Sequence, residues 1–340
     1  MTLVRIAALS ALVACDGPTS STPDDDTGTP LGNSAAPDTY GEPGEWHAGT
    51  FSRTIIGSDG LPLTLQVWYP STQAGASPVT YDGLLLGDAY EGVTPDCAVN
   101  HPVLAFSHGH GGVRYQSPFF TEHLATHGWV VVAPDHRGNT FLDDSGDVLE
   151  LMVRRPVDLA DAFDALASDP TVGQCVTAAD GYAVAGHSFG GYTAFVDAGA
   201  TINLPPGAVH DERVWAVLAF APWDGAGVLT DGTKELKVPT MVLTGALDET
   251  TPIEQVRALW DPIVIAPRWL GVFGEAGHYS FSPVACLVND GDGCGDGFLD
   301  SPTFTRLVNT ATLAFLLELR GVPGAEDAIP TDAPEITWEQ

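Results

Sequence analysis

A serine flanked by glycines, Gly186-His187-Ser188-Phe189-Gly190-Gly191, follows an apolar run at 182–185 and precedes a stretch with helical spacing. A hydroxyl placed on a tight strand-to-helix turn needs small neighbours, because its backbone is strained and other segments come close; Gly186 and Gly190 supply them. The helix behind turns the positive end of its dipole toward negative charge developing beside Ser188. The chemistry implied is nucleophilic attack by Ser188, which needs a base to take its proton and an acid to orient that base. Of ten histidines, His278 stands in a Gly-containing loop after the last strand candidate, in the chain order serine, acid, histidine. His187 adjoins Ser188, and adjacent side chains at a sharp turn diverge. Asp248, in Leu243-Thr244-Gly245-Ala246-Leu247-Asp248, is the first choice of acid, and Asp224, after the preceding strand, is its rival.

A second glycine-rich turn, Phe106-Ser107-His108-Gly109-His110-Gly111-Gly112, leaves an early strand. Such a turn lets a backbone N–H face a bound carbonyl oxygen, so His110 and Phe189 are the expected amide donors of an oxyanion hole. His108 and His110 also have the form His-x-His of a metal site, yet no carboxylate or third histidine is close in sequence, and no metal or other cofactor is expected. Asn289-Asp290-Gly291-Asp292-Gly293-Cys294-Gly295-Asp296 has closely spaced acidic oxygens but lacks the terminal Glu of a full calcium loop; a solvated turn closed by a disulfide is the expectation.

To position these groups the sequence offers alternating strand and helix patterns. Residues 51–56 and 63–69 flank Asp59-Gly60 as an opening hairpin. Apolar runs follow at 103–106, 129–133, 182–185, 214–220, 240–243 and 269–273, and Val153, Val157, Ala160, Phe163 and Leu166 repeat at helical spacing, as do Phe304, Leu307, Ala311, Ala314 and Leu317. The pattern is that of an α/β fold, a mostly parallel central sheet with helices on both faces. The expected divisions are a signal segment at 1–14, an acidic, disordered tether at 15–46, a catalytic domain at 47–320 and an acidic tail at 321–340.

The 340 residues carry 44 Asp and Glu against 13 Lys and Arg, a formal net charge of -31. Such a field repels phosphate backbones, which excludes nucleic acid as a partner. It suits a salt-screened or extracytoplasmic setting. Residues 1–14 hold one basic residue, Arg5, and an apolar run too short to span a bilayer. Leu12-Val13-Ala14-Cys15 resembles the bacterial lipobox, which makes Cys15 the lipidated mature N-terminus and places the protein outside the cytoplasm, held on a membrane by acyl chains. The other four cysteines permit three pairings. Cys97 and Cys175 precede two strands that would share a sheet edge, so Cys97–Cys175 and Cys286–Cys294 are the preferred pairs.

Taken together, the segments 102–112, 124–140, 186–191, 221–224, 243–252 and 274–283 resemble the dienelactone-hydrolase-like branch of the α/β-hydrolase superfamily, which includes enzymes similar to platelet-activating-factor acetylhydrolase and to bacterial cutinases that open polyesters. The resemblance covers about residues 47–320 and implies a serine esterase with the triad Ser188, Asp248 and His278. Ser188 departs from the cysteine nucleophile of the dienelactone hydrolases proper. Ala221-Pro222-Trp223-Asp224 is similar to the cutinase segment whose Trp walls the substrate cleft; Trp223 could equally pack the end of its strand. Few residues separate Trp223 from the next strand, so no cap domain fits, and the resemblance implies an open cleft for short-chain or polymeric esters. A phospholipid acetylhydrolase or an acyltransferase would use the same triad, and a non-catalytic binding protein on this scaffold is the alternative of another class.

Overall fold

The structure is a computed structural model that describes residues 39–204, 210–229 and 231–340. The signal segment, Cys15 and the tether up to residue 38 lie outside the described residues.

Two ten-residue strands open the fold, β1 (His47–Ile56) and β2 (Pro62–Ser71), paired antiparallel around the turn at Asp59-Gly60. The short β3 (Thr80–Tyr81) and β4 (Leu85–Leu86) form a small hairpin of their own, and β5 (Tyr90–Glu91) pairs with β1. Then come β6 (Val103–Ser107), β7 (Val130–Pro134), β8 (Tyr182–His187), β9 (Val214–Phe220), β10 (Thr240–Gly245), β11 (Arg268–Phe273) and β12 (Ile336–Glu339). Ten strands make one sheet in the order β12-β11-β10-β9-β8-β6-β7-β2-β1-β5. The run from β7 to β11 is parallel throughout. Its central strands are continuous apolar runs because both faces are covered.

One face packs on α1 (Pro118–Thr126) and α5 (Ser301–Leu319), through Phe120, Leu124, Phe304 and Leu307. The other packs on α2 (Val148–Ala167), α3 (Phe189–Asp197) and α4 (Ile253–Trp260), through Phe163, Tyr192 and Leu259. Asp147 caps α2 by accepting from the N–H groups of Leu149 and Glu150, which is why this helix begins five residues before its apolar repeat. Cys97–Cys175 and Cys286–Cys294 are both bonded.

The ordered domain begins earlier than residue 47. Tyr40 is buried, its carbonyl accepts from His123 Nε2, the Glu42 carbonyl meets His127, and Trp46 Nε1 donates to Asp96. One aromatic anchor and three side-chain bonds outweigh a polar composition that by itself reads as tether. At the other end, residues 336–339 of the acidic tail pair antiparallel with β11, with Trp338 edge-on against Trp269.

Burial holds several histidines neutral. Burial lowers the pKa of His108, His127, His136 and His187, and that of His123 falls to about 3. An unfolded histidine takes its proton near 6.5, so the stability these side chains contribute is present above that pH and is lost as the pH falls through each lowered folded value, about 3 for His123. Glu122, raised to about 7 by burial, works in the opposite sense, favouring the fold at low pH and losing that contribution as pH rises through 7. Urea titrations should show His123 contributing a fall in stability of about 1.4 kcal/mol per pH unit between pH 6 and 4. His123→Gln should remove one histidine's share of that slope; an unchanged slope would refute the assignment.

Candidate active site

Ser188 stands between β8 and α3, as the helix N-cap, with φ 57° and ψ -118°, a conformation that a non-glycine residue adopts only where its surroundings impose it. The surroundings are glycines in close contact. A Cβ on Gly190 would stand 1.8 Å from the Ser107 carbonyl oxygen, and one on Gly186 would stand 2.2 Å from that of Gly190. The Ser188 N–H donates to Phe220 O, and its carbonyl accepts from Trp223 N, so the turn is tied to β9 and the loop beyond.

His278 lies just past β11. Its Nδ1 is 2.9 Å from Asp248 Oδ2, and both side chains are buried. Asp248 also accepts from the N–H and the hydroxyl of Thr251, which fixes the carboxylate as an acceptor facing the ring. With Nδ1–H donated to Asp248, Nε2 is left with its lone pair, the state a general base requires. Ser188 and His278 line the same cavity. The structure thus brings Ser188, Asp248 and His278 to one place from the ends of three strands. Asp224 forms no bond to His278 among the described residues; its Oδ1 is buried without a partner.

His187 stays out of that line and supports it. Its Nε2 donates to the His278 carbonyl oxygen, its Nδ1 accepts from Gln116 Nε2, and its ring lies 4.6 Å from that of His278. Gln116 Oε1 in turn accepts the Gly109 N–H, and the Gly112 N–H is donated to Gly109 O. The His110 N–H has no protein acceptor among the described residues. The Phe189 N–H, first in its helix, has no intrahelical partner by construction. Both belong to residues beside the cavity or beside Ser188, as an oxyanion pair requires.

His-x-His is split by the fold. His108 is buried, with Nδ1 bonded to Gly109 O and Nε2 accepting from the His136 N–H. The His110 ring is exposed and meets Asn139 and Asp144. Beneath this turn lies a network that distant spacing hid from the sequence. Arg155, fully buried, donates to the His108 carbonyl, to Ser107 Oγ and to Asn139 Oδ1, and its guanidinium sits 4.3 Å from the centre of the Phe189 ring. Asp158 and Ser107 hold opposite nitrogens of His136. Burial pushes the Arg155 guanidinium down to about 9 and the Asp158 carboxyl up to about 6. One cation thus ties the glycine turn to the start of α3.

The cavity measures about 550 Å³ and is bounded by Leu84, Val113, Phe141, Val284, Leu287 and Val288 together with the polar groups above. Trp223 is not in its wall. Partly buried, it packs edge-on against Phe189 and at a tilt against Tyr192, behind the serine turn. The acidic loop is closed by Cys286–Cys294 with Asn289, Asp290 and Asp296 exposed, as a solvated turn would be, except at Asp292, which spends both carboxylate oxygens on protein donors.

Sheet order, the strained serine after β8 and the histidine loop after β11 define the α/β-hydrolase fold. The family model described as Chlorophyllase matches residues 92–231, a span that contains the glycine turn and Ser188 and ends before Asp248 and His278. Among solved structures, a ferulic acid esterase from Streptomyces cinnamoneus is similar with a TM-score of 0.68 and 20% identity, over 87% of this chain and 97% of that one. At that identity the likeness is one of fold. No curated protein matches the chain. The structural likeness supports the α/β-hydrolase fold of this chain.

Proposed function

We propose that the protein is a serine hydrolase that cleaves carboxylic esters through an acyl-enzyme on Ser188. The observation that carries this reading is the Asp248–His278 pair buried beside a serine in a forbidden backbone conformation. His278 Nε2 takes the hydroxyl proton as Ser188 Oγ attacks the ester carbon. Asp248 stabilises the imidazolium, and the N–H groups of His110 and Phe189 receive the oxyanion. His278 then delivers the proton to the departing alcohol, and water, activated by the same imidazole, releases the acid. In the further proposal that Cys15 is lipidated, the enzyme works at an extracytoplasmic membrane surface.

Cavity size and lining set the substrate. Leu84, Phe141, Leu287 and Val288 line it and are themselves exposed, between 56% and 67% for Leu84, Phe141, Leu287 and Val288. Apolar side chains at an open mouth favour an ester with an apolar arm, free or as a segment of a polymer, over a compact polar one. A graded series of nitrophenyl esters, with a phospholipid and a polyester film alongside, tests this. Leu287→Ser should lower kcat/KM for a medium-chain ester about tenfold through KM, the worth of one lost apolar contact, and leave the acetate ester unchanged. Equal loss on both esters would remove Leu287 from the substrate's path.

A further inference from the structure

We propose that Asp292 is a positioning residue that locks the loop carrying Asp248 to the loop carrying His278, setting base against acid before substrate arrives. This rests on the triad reading above. Asp292 Oδ1 accepts the backbone N–H of His278 itself at 2.9 Å and that of Glu249, the residue after Asp248, at 3.1 Å. Its Oδ2 accepts the Thr250 hydroxyl at 2.7 Å, and its carbonyl accepts the Tyr279 N–H at 2.7 Å. A single residue therefore grips both catalytic loops, each immediately beside its functional side chain.

The approach is close enough to require glycine opposite. A Cβ on Gly277 would lie 2.4 Å from the Asp292 carbonyl carbon. Asp292 has φ 47°, within a loop closed covalently by Cys286–Cys294 and by a bridge between Gly291 and Cys294. Burial pushes its carboxyl up, but the bonds from His278, Thr250 and Glu249 outweigh that and hold it below the usual carboxylate range. It is an ionised acceptor, and charge-assisted bonds of this kind are the stronger ones.

The physical need is plain. Asp248 and His278 sit on separate loops beyond neighbouring strands, and a displacement of about 1 Å at a reacting centre can cost about a hundredfold in rate. The other half of the same closed loop, Leu287 and Val288, walls the cavity. The loop thus has two separable tasks, one read in kcat and the other in KM.

Asp292→Ala should lower kcat on the acetate ester about a hundredfold, with KM unchanged. Asp292→Asn keeps Oδ1 as acceptor for both N–H groups, and Thr250 can reverse its hydroxyl, so this variant should return to within about fivefold of the parent. Asp290→Ala, on the same loop, should leave kcat unaltered, and melting curves verify that each variant is folded. A substrate-independent reading comes from the imidazole Nδ1 proton, a downfield proton resonance identified by its loss in Asp248→Asn, whose exchange with water should accelerate in Asp292→Ala. A folded Asp292→Ala variant with parental kcat, or an Asn variant as impaired as Ala, or an unchanged exchange rate, would overturn the clamp. Absence of ester turnover in the parent protein, or turnover surviving Ser188→Ala, would overturn the esterase reading instead, and the proton resonance would still decide the clamp.

Discussion

Ser188→Ala is expected to reduce ester turnover about a millionfold, to the level that binding and oxyanion donors sustain alone. Stability should change little. The Ser188 side chain makes no capping hydrogen bond to α3, and its strained φ is imposed by Gly186 and Gly190 packing against neighbouring backbone. Alanine inherits the same strain and no more. Because Phe189 N–H and the turn at His108 to Gly112 are untouched, the variant should still bind ester and should lose labelling by a fluorophosphonate. Turnover within about tenfold of the parent would mean that no acyl-enzyme forms on this residue.

The second large effect separates two aspartates that the sequence ranked, Asp248 first and Asp224 as its rival. Asp248→Asn should lower kcat about ten-thousandfold, because an amide facing His278 Nδ1 favours the tautomer with its proton on Nε2, and that nitrogen can no longer accept from Ser188. The geometry supporting this is the 2.9 Å contact between Asp248 Oδ2 and His278 Nδ1, backed by the two bonds from Thr251. Asp224→Asn should leave kcat within about threefold, since Asp224 makes no bond to the ring among the described residues. Comparable losses in both variants would return Asp224 to the mechanism. Steady-state kinetics on one soluble ester suffice to tell the outcomes apart.

Much of the fold was legible because its signals are local. The apolar runs at 103–106, 182–185 and 240–243 read as buried parallel strands, and β6, β8 and β10 are those strands, covered on both faces. The disulfide between Cys97 and Cys175 followed from two strands reckoned to be neighbours, and β6 and β8 are paired. The start of the domain was misjudged, because Tyr40 and Trp46 stand in a polar stretch whose anchoring partners, His123 and Asp96, lie far along the chain.

What the sequence determined by itself is the strained serine turn between its two glycines, the order in which nucleophile, acid and histidine candidates occur, and the alternation that builds the sheet. Each of these is a constraint on contiguous backbone, where a missing Cβ or a period of two or 3.6 leaves its mark in neighbouring letters. The tertiary structure decided that Asp248, the sequence's first choice over Asp224, faces the ring, that Trp223 packs behind the serine turn rather than lining the cavity, and that Gln116, Arg155 and Asp292 bond to the residues around the site. These side chains meet across 71, 47 and 14 residues of chain, through His187, His108 and His278 respectively. Which long side chain reaches which loop depends on paths that only the packed sheet fixes, and nothing in local propensity encodes them.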